Sequence, residues 1–160
     1  MKSFLYFLGF LWLLPISLLG FVLGLLLLTL RQIERVKLRS DFTVVWDLTN
    51  LGWFFREAFY NRGWAGFSFG CHIFVKDIQE ARLDRTLKHE ARHCYQQYAF
   101  GIFFYPVYVL NSVWIWLFQR EKHSYYDNFF EVGARRAAGQ PVRIPKERWA
   151  SGINDRWAWW

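Results

Sequence analysis

Hydrophobic positions fall along this chain in three patterns, each predicting a different element. The first is unbroken. Phe4 to Leu30 contains no charged residue. As a helix that run of about 27 residues extends about 40 Å, against a hydrocarbon core of about 30 Å, which predicts one membrane-crossing helix kinked at Pro15. The second pattern is aromatic and β-branched. Phe42 to Trp46 predicts a strand, and Trp64 to Val75, punctuated by glycine, predicts an edge strand bent at Gly70. The third has helical period. Arg85 to Phe100 lacks Gly and Pro, and Leu87, Ala91, Cys94 and Tyr98 mark one stripe. Leu51 to Tyr60 reads as a short helix. Another helix is expected after Asp127 or Asn128 as its cap, ended by Gly139.

A second apolar stretch, Tyr98 to Phe118, is also long enough to span a membrane, but Gly101, Pro106 and Asn111 interrupt it. It is expected to be a broken helical segment that packs in the core or dips into the membrane interface from one side.

Chemistry concentrates in the third pattern. Residues 89 to 93 read His-Glu-Ala-Arg-His. On a helix, side chains four apart share a face, so His89 and His93 can grip one zinc ion while Glu90 stands beside it as a base for water. A catalytic zinc takes a third protein ligand and leaves one position open. The downstream candidates are His123, Asp127 and Glu131. Glu131 is the best of them, because it falls in the first turns of a helix whose Ala134, Ala137 and Ala138 allow close packing. Tyr125, Tyr126 and His123 are candidate oxyanion donors, and Asp127 is a candidate carboxylate to orient a ligand histidine. Gln96 and Gln97 read as surface residues and His72 as an ordinary strand residue.

Three blocks in order, Gly66-Phe-Ser-Phe-Gly-Cys-His-Ile-Phe-Val75, His89-Glu-Ala-Arg-His-Cys-Tyr-Gln-Gln97 and Tyr126-Asp-Asn-Phe-Phe-Glu-Val-Gly-Ala134, resemble the gluzincin-type metallopeptidases. The chain is similar, more narrowly, to small bacterial and phage zincin-like domains. The resemblance covers residues 64 to 139. It implies zinc at His89, His93 and Glu131, a base at Glu90, and an α+β fold with a minimal zincin-like core: a short sheet, the H-E-x-x-H helix and a Glu-bearing helix. Cys71 departs from the pattern, where a polar residue is commoner, and the stretch between the helices is unusually apolar.

Composition adds the membrane setting. The chain has 160 residues, ten of them tryptophan, and a net charge of +7. Basic residues interleaved with Trp suit lipid headgroups, and no nucleic-acid signature is present, so nucleic acid is not an expected partner. Arg31, Arg35, Lys37 and Arg39 follow the first apolar run, which by the positive-inside rule puts the catalytic domain in the cytoplasm and keeps Cys71 and Cys94 reduced. The expected organisation is an anchor at 1–31, a basic linker at 32–41, the zincin-like domain at 42–147 and a Trp-rich tail at 148–160. Gly20-x-x-x-Gly24 offers a surface for pairing two anchor helices into a homo-oligomer.

The expected function is a single-pass, membrane-anchored zinc metalloprotease acting on a protein or peptide. Two other readings compete. One is a bacterial or phage membrane-interaction protein whose zinc site is structural or vestigial. The other lets Tyr98 to Phe118 cross the bilayer, which would put His93 and Glu131 on opposite sides and abolish a shared metal site.

Overall fold

The computed structural model describes residues 2–39, 41–48, 66–75 and 83–145. The expected helix at Leu51–Tyr60 and the tail at 148–160 lie outside them. The chain is mixed α+β. Helices α1 (Lys2–Trp12) and α2 (Leu14–Thr29) come first, and strands β1 (Arg35–Leu38), β2 (Val44–Asp47), β3 (Gly66–Phe69) and β4 (His72–Val75) follow. Then come α3 (Leu83–Phe100), a 3-10 turn at Gly101–Phe103, α4 (Phe104–Phe118) and α5 (Phe129–Ala137).

The four strands form one sheet in the order β1-β2-β4-β3. β2 and β4 are parallel, and the outer pairings are antiparallel. Because side chains alternate across a sheet, each face has its own partner. Val44, Trp46, Leu48, Phe67 and Phe74 pack with Leu23 and Leu27 of α2. Val45, Ile73 and Val75 pack with Leu87, Ala91 and Cys94 of α3. On the α2 side, Phe67, Phe74 and Trp46 stack across three strands with centroids 4.7 and 6.0 Å apart.

Two expectations about strands change. Trp64 to Val75 is not one edge strand but the hairpin β3–β4, turned at Gly70, whose φ of 64° favours glycine. The residues expected as a basic linker contain β1, which is exposed along its length. Asp41 ties its hairpin to β2 by accepting from the Thr43 amide at 3.3 Å and the Thr43 hydroxyl at 2.5 Å. The charges of Arg35 and Lys37 then keep an edge strand from pairing further.

The N-terminal run is not one uninterrupted helix. It breaks at Leu13, just before Pro15, whose ring and missing N–H disrupt the preceding turn. α2 alone, with 16 residues, extends about 24 Å, short of a hydrocarbon core of about 30 Å. Among the described residues, one helical stretch, Asp84–Phe118, is long and apolar enough to cross a membrane by length and composition. Gly101, with φ of 56°, breaks that stretch where it abuts Trp12 of α1.

α1 and α2 also share the core of the domain they were expected to tether. Gly9 lies against Tyr98, Gly20 against His72 and Phe69, and Gly24 against Trp46. The glycine face expected to pair two anchors is therefore covered by the sheet of the same chain. A Cβ on Gly24 would come within 2.5 Å of the Trp46 ring. Gly24→Leu is expected to destabilise the fold by about 1–3 kcal/mol, as overpacked cores do. Thermal unfolding in detergent checks this, with the exposed Leu25→Ala change as a control that leaves the midpoint nearly unmoved.

Candidate metal centre

Two helices converge on one point. α3 carries His89 and His93 one turn apart. α5 brings Glu131 to them: the carboxylate lies 3.2 Å from His89 Nε2 and 3.1 Å from His93 Nε2, and the two Nε2 atoms are 3.2 Å apart. His93 and Glu131 are buried, while the His89 side chain keeps 12% of its exposure. The three residues form a group that could hold a metal ion. The reading in which Tyr98 to Phe118 separates His93 from Glu131 fails on these distances, because α4 folds back beside α3.

Local sequence explains how Glu131 arrives. Asn128 caps α5 by accepting from the Phe130 amide at 2.9 Å. Its amide group also donates to Ser112 Oγ at 2.7 Å and to the Tyr108 carbonyl at 3.0 Å. Asn111 accepts from the Phe129 amide at 2.8 Å. The polar residues that interrupt the second apolar stretch thus hold the start of the Glu-bearing helix. At its other end, Gly139 at φ 65° closes a C-terminal motif in which the Gln140 amide donates to the Arg135 carbonyl at 2.9 Å. That turn delivers the Gln140 side chain to His89.

Hydrogen bonds fix which nitrogens face the centre. Gln96 Nε2 donates to the Phe130 carbonyl at 3.0 Å, which leaves Gln96 Oε1 facing His93 Nδ1 at 2.8 Å. An amide oxygen only accepts, so Nδ1 carries a proton and Nε2 turns toward Glu131. His89 Nδ1 pairs with Gln140 Oε1 at 3.1 Å in the same way. The orienting partners are therefore two glutamines, where Asp127 was expected. Asp127 instead accepts from the His123 amide at 2.8 Å, holding the turn before α5. Gln96 and Gln97, expected at the surface, are both buried. Gln97 accepts from the Gly70 amide at 2.8 Å and donates to Ser68 at 3.2 Å.

The candidate donors divide. His123 Nδ1 accepts from the Tyr125 and Tyr126 amides at 3.1 and 3.3 Å, and the Tyr126 ring lies over His123 with the Arg135 guanidinium 5.7 Å from its own centroid. Burial and the nearby Glu131 carboxylate push the Tyr125 hydroxyl well above its usual range. Tyr108, which sequence reasoning missed, donates to Glu131 Oε1 at 2.9 Å. The available signal was the spacing of Tyr108, Asn111 and Ser112, which places three polar groups on one face of an otherwise apolar helix.

Electrostatics match a cation site. Burial alone would raise Glu131, but His93 and His89 outweigh it and hold the carboxyl well below its usual range. Burial opposes charge on His93, yet Glu131, with Glu90 and Gln96, pushes it up to about 9. Burial raises Glu90, and His93 and His89 offset this only in part. Glu131 Oε2 is buried and receives no well-aligned hydrogen bond, although His89 Nε2 stands 3.2 Å away. Two imidazole nitrogens and an undersatisfied carboxylate oxygen directed at one another fit a shared cation. No family model, curated protein or solved structure matches the chain.

Replacing Gln96 by Ala removes the group that fixes the His93 ring and leaves the Phe130 carbonyl without this donor. Loss of such an orienting partner typically weakens metal binding about 10–100-fold, and the Gln96→Ala protein is expected in that range. Competition with a fluorescent chelator measures it.

Proposed function

We propose that the chain is a membrane-anchored, zinc-dependent hydrolase that cleaves peptide bonds. The observation that carries this reading is the meeting of His89, His93 and Glu131 with Glu90 buried beside them. Two imidazoles and one carboxylate are a ligand set of catalytic zinc, which keeps its fourth position open. Imidazole nitrogens argue against calcium or magnesium, which favour oxygen ligands. The sheet and α3, with β3 outermost in strand order beside Glu90, support the likeness to zincins.

Zinc, when bound, would polarise the scissile carbonyl and acidify a water molecule. His89, His93 and Glu131 would hold it. Glu90 takes the proton from the attacking water and returns it to the leaving amine. Its raised proton affinity suits both halves of that exchange. Gln96 and Gln140 keep the ligand rings turned so that Nε2, not Nδ1, faces the centre. Tyr108, whose single hydroxyl proton goes to Glu131 Oε1, would hold that ligand carboxylate in place. Of the expected donors Tyr125, Tyr126 and His123, Tyr125 is the one near Glu131, and we assign it the oxyanion role. The basic residues after α2 favour the cytoplasmic side for that end of the fold.

Glu90→Gln preserves shape and removes the base. It is expected to keep wild-type zinc content while hydrolysis of a fluorogenic peptide library falls by at least about 100-fold, the usual size of a general-base contribution. Equal turnover by the variant contradicts the role of Glu90. No turnover by a fully zinc-loaded wild type favours a structural site.

A further inference from the structure

α4 has its polarity inverted relative to a helix on a soluble protein. Its inner face carries Tyr108 and Ser112, both hydrogen-bonded to α5, together with buried Phe104 and Ile115. Leu110, Trp114 and Leu117 point outward and are exposed. No charged residue occurs in the helix. α2 has the same inversion: small Ser17, Gly20 and Gly24 face the sheet, and Leu18, Val22 and Leu26 are exposed. Soluble monomers rarely leave contiguous apolar patches beyond a few hundred Å².

The fold orients these two faces together. Ser17 of α2 touches Cys71 at the start of β4, and Leu27 clusters with Leu48 beyond the end of β2, so α2 runs in the sense of those parallel strands. α3 runs the opposite way, from Thr86 near Gly66 and Val75 down to Gln97 at Gly70. α4 turns back from Gly101 and reaches Glu131 through Tyr108. α2 and α4 therefore both start at the end where Trp12 meets Gly101 and run in the same general sense. Cations follow both helices: Arg31 and Arg35 after α2, Arg120 and Lys122 after α4.

We infer that the outward faces of α2 and α4 form one lipid-facing belt, with the fold embedded in a bilayer between them and Arg31, Arg35, Arg120 and Lys122 at the headgroups of one leaflet. α2 covers one face of the sheet and α3 the other, and α4 begins at the β3 edge, where the Tyr105 ring lies 5.6 Å from Phe69. The exposed apolar faces therefore belong to two separate helices flanking the same stack, a distribution that surrounding acyl chains cover. Cations at one shared end complement anionic headgroups. The metal centre, on the inner side of α4, then lies level with the belt rather than above the membrane. The inference does not depend on which ion the centre binds.

Spin labels on single cysteines at Leu18, Leu110 and Lys122 of the full chain test it, in phosphatidylcholine–phosphatidylglycerol vesicles. Leu18 is 61% and Leu110 66% exposed, so labels there disturb no packing, and Cys71 and Cys94 are buried. Collision with oxygen, which concentrates in acyl chains, is expected to exceed collision with a water-soluble nickel chelate several-fold at 18 and 110, and to reverse at 122. Nickel access at 110 equal to that at 122, in protein with native helix content by circular dichroism, would overturn the inference. Strong dipolar broadening between labels at 110 also would, because it means that a second copy covers the face.

Discussion

Two imidazole nitrogens and a carboxylate meet within 3.2 Å of one another in the interior, and the surrounding contacts read as the means of keeping them there. Such a cluster is costly to bury unless a proton or a cation sits within it. The helical period supplies two ligands. The third requires α5 to be held against α3 at a fixed height, and Asn128, Asn111 and Ser112 do this by joining the start of α5 to α4. Gln96 reinforces the same junction, since one side chain orients His93 and donates to the Phe130 carbonyl beside Glu131. Position and tautomer are thus set by one connected network.

What was legible in the sequence was what depends on short separations. The pairing of His89 with His93, the α3 stripe, a cap at Asp127 or Asn128 and the stop at Gly139 all follow from helical geometry within a few residues. Glu131 was reachable because only one carboxylate downstream lay in a cappable helix with small residues behind it. The orienting groups were not legible. Gln140 lies 51 residues from His89, and nothing local marks a glutamine after a helix stop as a histidine partner. Tyr108 was hidden because its stretch was weighed by mean apolarity, where a few polar side chains on one face hardly register.

The N-terminal run misled for a related reason. Hydropathy counts residues without asking which surface each one meets. Gly20 and Gly24 read as a helix-pairing motif, yet they provide the close approach that Trp46 and His72 need over the sheet. β1 escaped notice because Arg-Val-Lys-Leu alternates polar and apolar over only four residues, the shortest run that period two can mark, inside a segment dominated by basic residues. Both cases concern one physical point: an apolar helix can be a layer of a fold and a lipid-facing surface at once, and α2 and α4 have the composition for both.

A cation shared by His89, His93 and Glu131 is what this cluster is built to hold. Elemental mass spectrometry of purified, detergent-solubilised protein, wild type beside Glu131→Ala, tests this directly. Close to one zinc per wild-type chain is expected, with a sharp loss in the variant. A folded wild-type protein without metal, or a Glu131→Ala protein that keeps its full zinc content, would contradict it.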